Sequence, residues 1–99
     1  MWFTGSTLIL DDVAQAWPVI GIDDLSPSAF EAVLAAGPAS VEFVLLGTGQ
    51  STAPPPRAVR EALSHAGLGL EVMDTAAACR LYNVLAQDGR RVAAALIAI

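Results

Sequence analysis

The sequence contains no lysine, one cysteine and one histidine among its 99 residues. The missing lysine excludes Schiff-base catalysis and a P-loop, both of which depend on that side chain. Cys79 and His65 alone cannot supply the three or four ligands of a zinc site, and a single cysteine cannot form an internal disulfide. We therefore expect no metal and no cofactor, and a reducing compartment.

Charged residues are also few, at 15%, and they leave a net charge of −5. An acidic chain argues against a nucleic-acid partner bound through its phosphates. The longest apolar run, residues 92–99, is too short to cross a bilayer as a helix, and the N-terminus does not read as a targeting peptide. With 55% apolar residues, the chain is predicted to be a single cytoplasmic domain over residues 1–99, without a membrane span.

The apolar pattern alternates between strand-like and helix-like segments. It predicts strands over residues 7–10, 17–20, 41–46, 68–73 and 92–99. Helices are predicted to begin at Ser26, near Pro56, and at Asp74 or Thr75. The nearly continuous apolar run 41–46 is typical of a strand that is buried on both faces of a parallel sheet. Together these segments indicate a layered α/β fold.

Five motifs in order carry a family resemblance: LLGTG at 45–49, PPP at 54–56, LEVMDT at 70–75, RLYNVL at 80–85 and GRRVAAAL at 89–96. Over about residues 5–97 the chain resembles the uncharacterised Mth-type domain family, which includes a mitochondrial respiratory complex I assembly factor. The resemblance implies a three-layer α/β/α sandwich with a mixed, mostly parallel sheet, in which one strand runs antiparallel. Family members usually carry another strand pair before the equivalent of Ser6, so we expect a shortened N-terminal region here.

Two loops follow predicted strands and are expected to line one crevice if those strands are neighbours. The first contains Gly47, Thr48 and Gly49, whose backbone N–H groups are candidates for binding a small anion. The alternative is a purely structural turn, which the missing third glycine of a dinucleotide motif favours. The second contains Asp74 and Thr75, candidates for ligand binding or, alternatively, for capping the third helix.

Other candidate residues lie on the third predicted helix and near the N-terminus. Arg80 and Asn83 share a helix face and are candidate anion or carboxylate ligands, with a solvated face as the alternative. Cys79 is expected to be a buried thiol rather than a nucleophile. The aromatic residues Trp2, Phe3 and Trp17 are expected to cover the core, unless they are exposed and mark a partner surface.

Two classes of function remain open from the sequence. The first is a non-enzymatic protein-binding or assembly module that contacts a protein partner, or a second copy of itself, through a sheet edge or an aromatic patch. The family has no settled enzymatic activity, and its assembly factor acts by binding partner proteins, so the resemblance implies this class. The second is a small-molecule or anion-binding domain, or an enzyme, with its site at the Gly47–Gly49 loop and Asp74-Thr75.

Overall fold

The structure, a computed structural model, describes residues 5–99. Its strands are β1 (Thr7–Leu10), β2 (Val13–Ala16), β3 (Phe43–Gly47), β4 (Gly69–Met73) and β5 (Val92–Leu96). Its α-helices are α1 (Glu31–Ala36), α2 (Arg57–His65) and α3 (Thr75–Gln87), and short 3₁₀ turns cover Ile22–Asp24 and Pro27–Phe30. The strands form one sheet in the order β2-β1-β5-β3-β4.

The sheet is mixed, and β1 is the strand that runs against the others. β3 pairs in parallel with both β4 and β5, whereas β1 pairs antiparallel with β5 and with β2. In this register Leu45 of β3 lies opposite Ala94 of β5 and Glu71 of β4. The mixed, mostly parallel sheet that the family resemblance implied is therefore confirmed.

Helices cover both faces of the sheet, which makes three layers. On one face, Phe30 and Val33 near α1 and Val59 and Leu63 of α2 pack against strand side chains such as Val44. On the other face, side chains of α3 pack against Ile9, Leu45 and Ala94. Successive residues of β3 thus enter opposite cores, and this explains why its sequence is apolar without interruption.

The second strand was predicted at 17–20, and this prediction is wrong, because the strand comes earlier. Asp11 and Asp12 both adopt left-handed backbone conformations, with φ of 53° and 63°. They form a two-residue hairpin turn that places Val13 directly opposite Leu10. Aspartate tolerates this conformation better than most residues do. These two aspartates therefore both end β1 and lead directly into β2.

Trp17 follows β2 as a core residue and does not belong to a strand. Its ring packs edge-to-face on Phe30, with the ring centroids 5.5 Å apart. Its indole Nε1 donates a hydrogen bond to the carbonyl oxygen of Ala29 at 2.8 Å. The prediction that this aromatic residue covers the core is confirmed, while Trp2 and Phe3 lie outside the described residues.

The helix starts agree with the sequence in position but not always in detail. Ser26 precedes a 3₁₀ turn that leads into α1, and its side chain makes no hydrogen bond to the helix backbone. Its hydroxyl instead lies 2.8 Å from that of Ser28. Ser26 therefore occupies the N-cap position ahead of Pro27, as predicted, but its side chain does not cap the helix backbone. Asp74, in contrast, caps α3, because its Oδ1 accepts a hydrogen bond from the backbone N–H of Ala77 at 2.9 Å.

Candidate functional site

The two predicted loops do meet, because β3 and β4 are neighbours and end at the same edge of the sheet. The last residues of these strands, Gly47 and Met73, lie opposite each other in the parallel register. The backbone N–H of Thr48 donates to the carbonyl oxygen of Met73 at 2.9 Å. One step further along, the N–H of Thr75 donates to the carbonyl oxygen of Gly49 at 2.9 Å. We call the meeting point of Gly47–Gly49 with Asp74-Thr75 the strand-end junction.

The hydroxyl of Thr75 connects three chain segments inside this junction. It accepts a hydrogen bond from the N–H of Gly49 at 2.8 Å and donates one to the carbonyl oxygen of Ile97 at 2.7 Å. The side chain is 7% exposed. Because one hydroxyl satisfies a buried donor and a buried acceptor, it fixes the loop after β3 and the chain after β5 to the start of α3.

Glycine is required at two positions of the junction for different reasons. A Cβ on Gly47 would lie 2.8 Å from the Cα of Thr75, closer than side-chain atoms approach backbone. Gly49 has a φ of +100°, in a region that side-chain-bearing residues rarely adopt. The first glycine therefore allows α3 to approach the sheet, and the second allows the loop to turn.

The Thr48 side chain organises the following loop. Its Oγ1 donates to the carbonyl oxygen of Ser51 at 2.6 Å and accepts from the N–H of Ala53 at 3.1 Å. The N–H groups of Thr48 and Gly49 are both engaged with protein acceptors. An anion bound by the Gly49 N–H would have to displace the Thr75 hydroxyl. The geometry thus gives these residues a structural role, and their role in ligand binding stays a prediction.

Arg80 and Asn83 lie on α3 beyond the junction, and both are exposed. Arg80 lines a shallow surface groove of about 400 Å³ together with Met73, Ala77, Leu81 and Val84. We call this surface the α3–β4 groove. Asn83 is not among its lining residues. Arg80 and Asn83 thus lie three residues apart on one helix, but only Arg80 lines this groove, and the binding of a ligand by either stays a prediction.

The α3–β4 groove was not predicted from the sequence. Leu81 packs against the core beneath α3, but it is only half-buried, and Val84 is 56% exposed. Arg80 forms no ion pair within residues 5–99, where the pairs are Arg57–Glu61 and Arg90–Glu42. One residue in the sequence does indicate an apolar surface here. Val84 is a β-branched apolar residue that follows Asn83 on the side of α3 predicted to be solvated.

Cys79 and the N-terminal sheet edge complete the candidate features. Cys79 is half-buried, and burial raises the pKa of its thiol, which disfavours the reactive thiolate. This agrees with a packed thiol.

At the other end of the sheet, every residue of β2 is exposed, including Val13 at 62%. Among the residues that the structure describes, no helix has the length and apolar character needed to cross a membrane.

Comparison with known proteins places the chain in a family. A profile for a protein of unknown function (DUF498/DUF598) matches residues 1–97. The chain belongs to this family. An uncharacterized protein of Rhodobacter capsulatus is 40% identical over 93 residues, which make up 94% of this chain and 68% of that protein. Family membership, which the sequence motifs predicted, is confirmed.

The chain is also similar to an assembly factor and to a domain of known structure. NADH dehydrogenase (ubiquinone) 1 alpha subcomplex assembly factor 3 of Mus musculus is 32% identical over 94% of this chain and 50% of its own length. The chain thus spans about half of that assembly factor. A Mth938-like domain from Bordetella pertussis is 32% identical and superposes with a TM-score of 0.76. The match covers 96% of this chain and 74% of the Bordetella chain.

Proposed function

We propose that this chain is a non-enzymatic protein-binding module that takes part in the assembly of the respiratory NADH dehydrogenase. The α3–β4 groove is its contact surface. The observation that carries the proposal is this apolar groove on a member of a family that includes an assembly factor of that enzyme. The compartment predicted for the chain is the cytoplasm.

The shape of the fold supports the choice of surface. Helices α1 and α2 cover one face of the sheet, whereas only α3 covers the other within residues 5–99. On that second face, β4 is an edge strand, and its Gly69 and Glu71 are exposed. A partner segment laid beside α3 would therefore cover the half-buried Leu81 and the exposed Val84 while it extends the helical layer.

The positive charge of Arg80 in the groove indicates which charged group the partner presents. Arg80 is the charged residue among the lining residues, and its guanidinium has no carboxylate partner in residues 5–99. Arginine in an apolar contact surface pairs best with a carboxylate in a bidentate geometry. The partner segment is thus an apolar helix or strand that presents one aspartate or glutamate.

A deletion strain of the source organism tests the assembly role. The strain is complemented with the wild-type chain, with Arg80→Glu, or with Arg60→Glu, and assembled NADH dehydrogenase is quantified on native gels. Arg60 is a matched control because it is exposed on α2 and, like Arg80, forms no ion pair in residues 5–99. Both variants change the net charge by the same amount. We expect Arg60→Glu to restore the enzyme and Arg80→Glu to fail.

Equal rescue by the two variants would contradict the proposed surface. An undiminished level of the enzyme in the uncomplemented deletion strain would contradict the assembly role itself. The purified chain should sediment as a monomer, because the groove is assigned to a different protein. The homo-oligomer predicted from the sequence would instead pair through the exposed β2 edge and sediment as a dimer that Arg80→Glu leaves intact.

The second candidate function is an anion or small-molecule site at the strand-end junction. What favours it is that Gly47, Thr48, Gly49, Asp74 and Thr75 do come together at the ends of parallel strands. Native mass spectrometry of the freshly purified chain tests it. A bound small molecule that is lost in Gly49→Ala and Asp74→Asn would support this function, and an unliganded spectrum would argue against it.

A further inference from the structure

A second cavity lies at the end of the sheet opposite the strand-end junction. Its volume is about 210 Å³, which is room for about seven water molecules. The turn between β1 and β2 forms one wall with Asp11 and Asp12, and the segment leading into β5 forms another with Arg90 and Arg91. Two acidic and two basic residues therefore border one small space.

In the described part of the chain, the arginines of one wall do not pair with the aspartates of the other, although Arg90 pairs with Glu42. Neither Asp11 nor Asp12 forms an ion pair with an arginine within residues 5–99, where the pairs are Arg57–Glu61 and Arg90–Glu42. The cavity instead keeps the acidic wall apart from the basic one. A ligand that carries both a positive and a negative group would satisfy the two walls together.

One charged side chain of each wall, Asp12 and Arg91, is held by a hydrogen bond to the rest of the chain. The hydroxyl of Tyr82, a side chain only 5% exposed, donates to Oδ1 of Asp12 at 2.9 Å. On the opposite wall, Nη1 of the Arg91 side chain donates to the carbonyl oxygen of Ala39 at 2.7 Å. The backbone N–H of Arg91 donates to Oε2 of Glu42 at 3.2 Å. Ordered walls reduce the entropy that binding would otherwise cost.

Hydrogen-bonding capacity remains on each wall. The carboxylate of Asp11 accepts no hydrogen bond within the described part of the chain, and Asp12 accepts only the one from Tyr82. The Arg91 guanidinium, which carries five N–H donors, makes one hydrogen bond, to Ala39. The rest of the lining includes three apolar residues, Ala86, which is half-buried, and Val41 and Val92, which are buried.

From this arrangement we infer that the cavity binds a free amino acid with a small aliphatic side chain. Its carboxylate pairs with Arg91, its ammonium group with Asp11 and Asp12, and its side chain lies against the apolar lining. The volume of about 210 Å³ accommodates a ligand of this size. This site is separate from the α3–β4 groove, so the inference does not depend on the proposed function.

NMR titration of the ¹⁵N-labelled chain tests the inference with L-valine as the probe. Two analogues serve as controls: 3-methylbutanoate, which lacks the ammonium group, and 2-methylpropylamine, which lacks the carboxylate. We expect L-valine to shift the amide resonances of residues 11–12, 40–41 and 89–92 saturably. Each analogue should bind about tenfold more weakly or worse, since each loses a charged hydrogen-bonding group.

Asp11→Asn supplies the matched variant, because asparagine also tolerates the left-handed conformation of this position. The variant should keep the folded spectrum and weaken L-valine binding about tenfold. Asp23→Asn, on the exposed 3₁₀ turn, should leave the affinity unchanged. Absence of saturable shifts with glycine, L-alanine, L-valine and L-leucine would overturn the inference. Equal binding of 3-methylbutanoate would overturn it too, since it would reveal a site for carboxylates alone.

Discussion

The hydroxyl of Thr75 accepts a hydrogen bond from the N–H of Gly49 at 2.8 Å and thereby ties the start of α3 to the loop after β3. The same hydroxyl donates to the carbonyl oxygen of Ile97 at 2.7 Å. A single side chain thus holds together three segments that are distant in sequence. The place where the sequence motifs converge is consequently a structural junction of the fold.

Replacement of Thr75 by valine should destabilise the chain. Valine has nearly the same shape, but it leaves the Gly49 N–H and the Ile97 carbonyl without their buried partner. The expected loss in the free energy of unfolding is about 2–4 kcal/mol. Thr75→Ser keeps the hydroxyl and should cost about 1 kcal/mol. Urea denaturation measures both, and equal losses would show that the hydroxyl contributes nothing.

Gly47→Ala should also destabilise the chain, for a steric reason. The added methyl group would lie 2.8 Å from the Cα of Thr75, so α3 or β3 must shift. Overpacking of this kind costs about 1–3 kcal/mol. Gly21→Ala is the matched control, because nothing lies within 4 Å of a Cβ at that position and its φ is −151°. Thermal unfolding that leaves both variants at the wild-type Tm would refute the close approach.

Tyr82 should titrate abnormally, and it is the chain's single tyrosine. Burial, together with the hydrogen bond to Asp12 and its negative charge, raises the Tyr82 pKa from 10.0 to about 12. The unfolded chain therefore loses the phenolic proton first, so the free energy of unfolding should fall as the pH rises from 10 to 12. Below pH 10 this contribution is fully present.

The phenolate absorbance follows this titration directly. Asp12→Asn keeps a hydrogen-bond acceptor for the Tyr82 hydroxyl but removes the charge, so it should lower the Tyr82 pKa. Asp11→Asn is the neighbouring control, because Asp11 makes no hydrogen bond with Tyr82. A folded protein whose phenol titrates at its ordinary pKa would disprove the Tyr82–Asp12 contact.

Cys79 should react slowly with thiol reagents in the folded chain. Burial raises the pKa of its thiol, so the thiolate fraction at neutral pH is below that of a free cysteine. The rate of modification by a chromogenic disulfide reagent should therefore increase when the chain is unfolded in urea. The same rate in both states would mean that the thiol is accessible and unperturbed.

Much of the fold was predictable because its signals are local. The uninterrupted apolar run of β3 indicated burial on both faces, and Asp74 was recognisable as a helix cap. The position of β2 was not predictable in this way. Asp11 and Asp12 end a strand in either case, and only their left-handed conformations turn the chain directly into the next one.

The α3–β4 groove could not be located from Val84 alone, because its position depends on the order of the strands. Which flank of α3 remains open is decided by the position of β4 at the sheet edge, and this position is a property of the whole chain. Leu81 follows the spacing of a core residue, yet it lies only half-buried beside the exposed Val84. Helical periodicity identifies an apolar face without showing what covers it.

Site-specific photocrosslinking in cells of the source organism shows whether a partner protein contacts the α3–β4 groove. A photoreactive amino acid replaces Val84 in the groove or, as the control, Val13 on β2. Both positions are valines of similar exposure, at 56% and 62%. We expect an adduct from position 84 that contains a subunit or assembly protein of the NADH dehydrogenase and that disappears with Arg80→Glu. The same adduct from position 13 alone, or equally from both positions, would contradict the proposed surface.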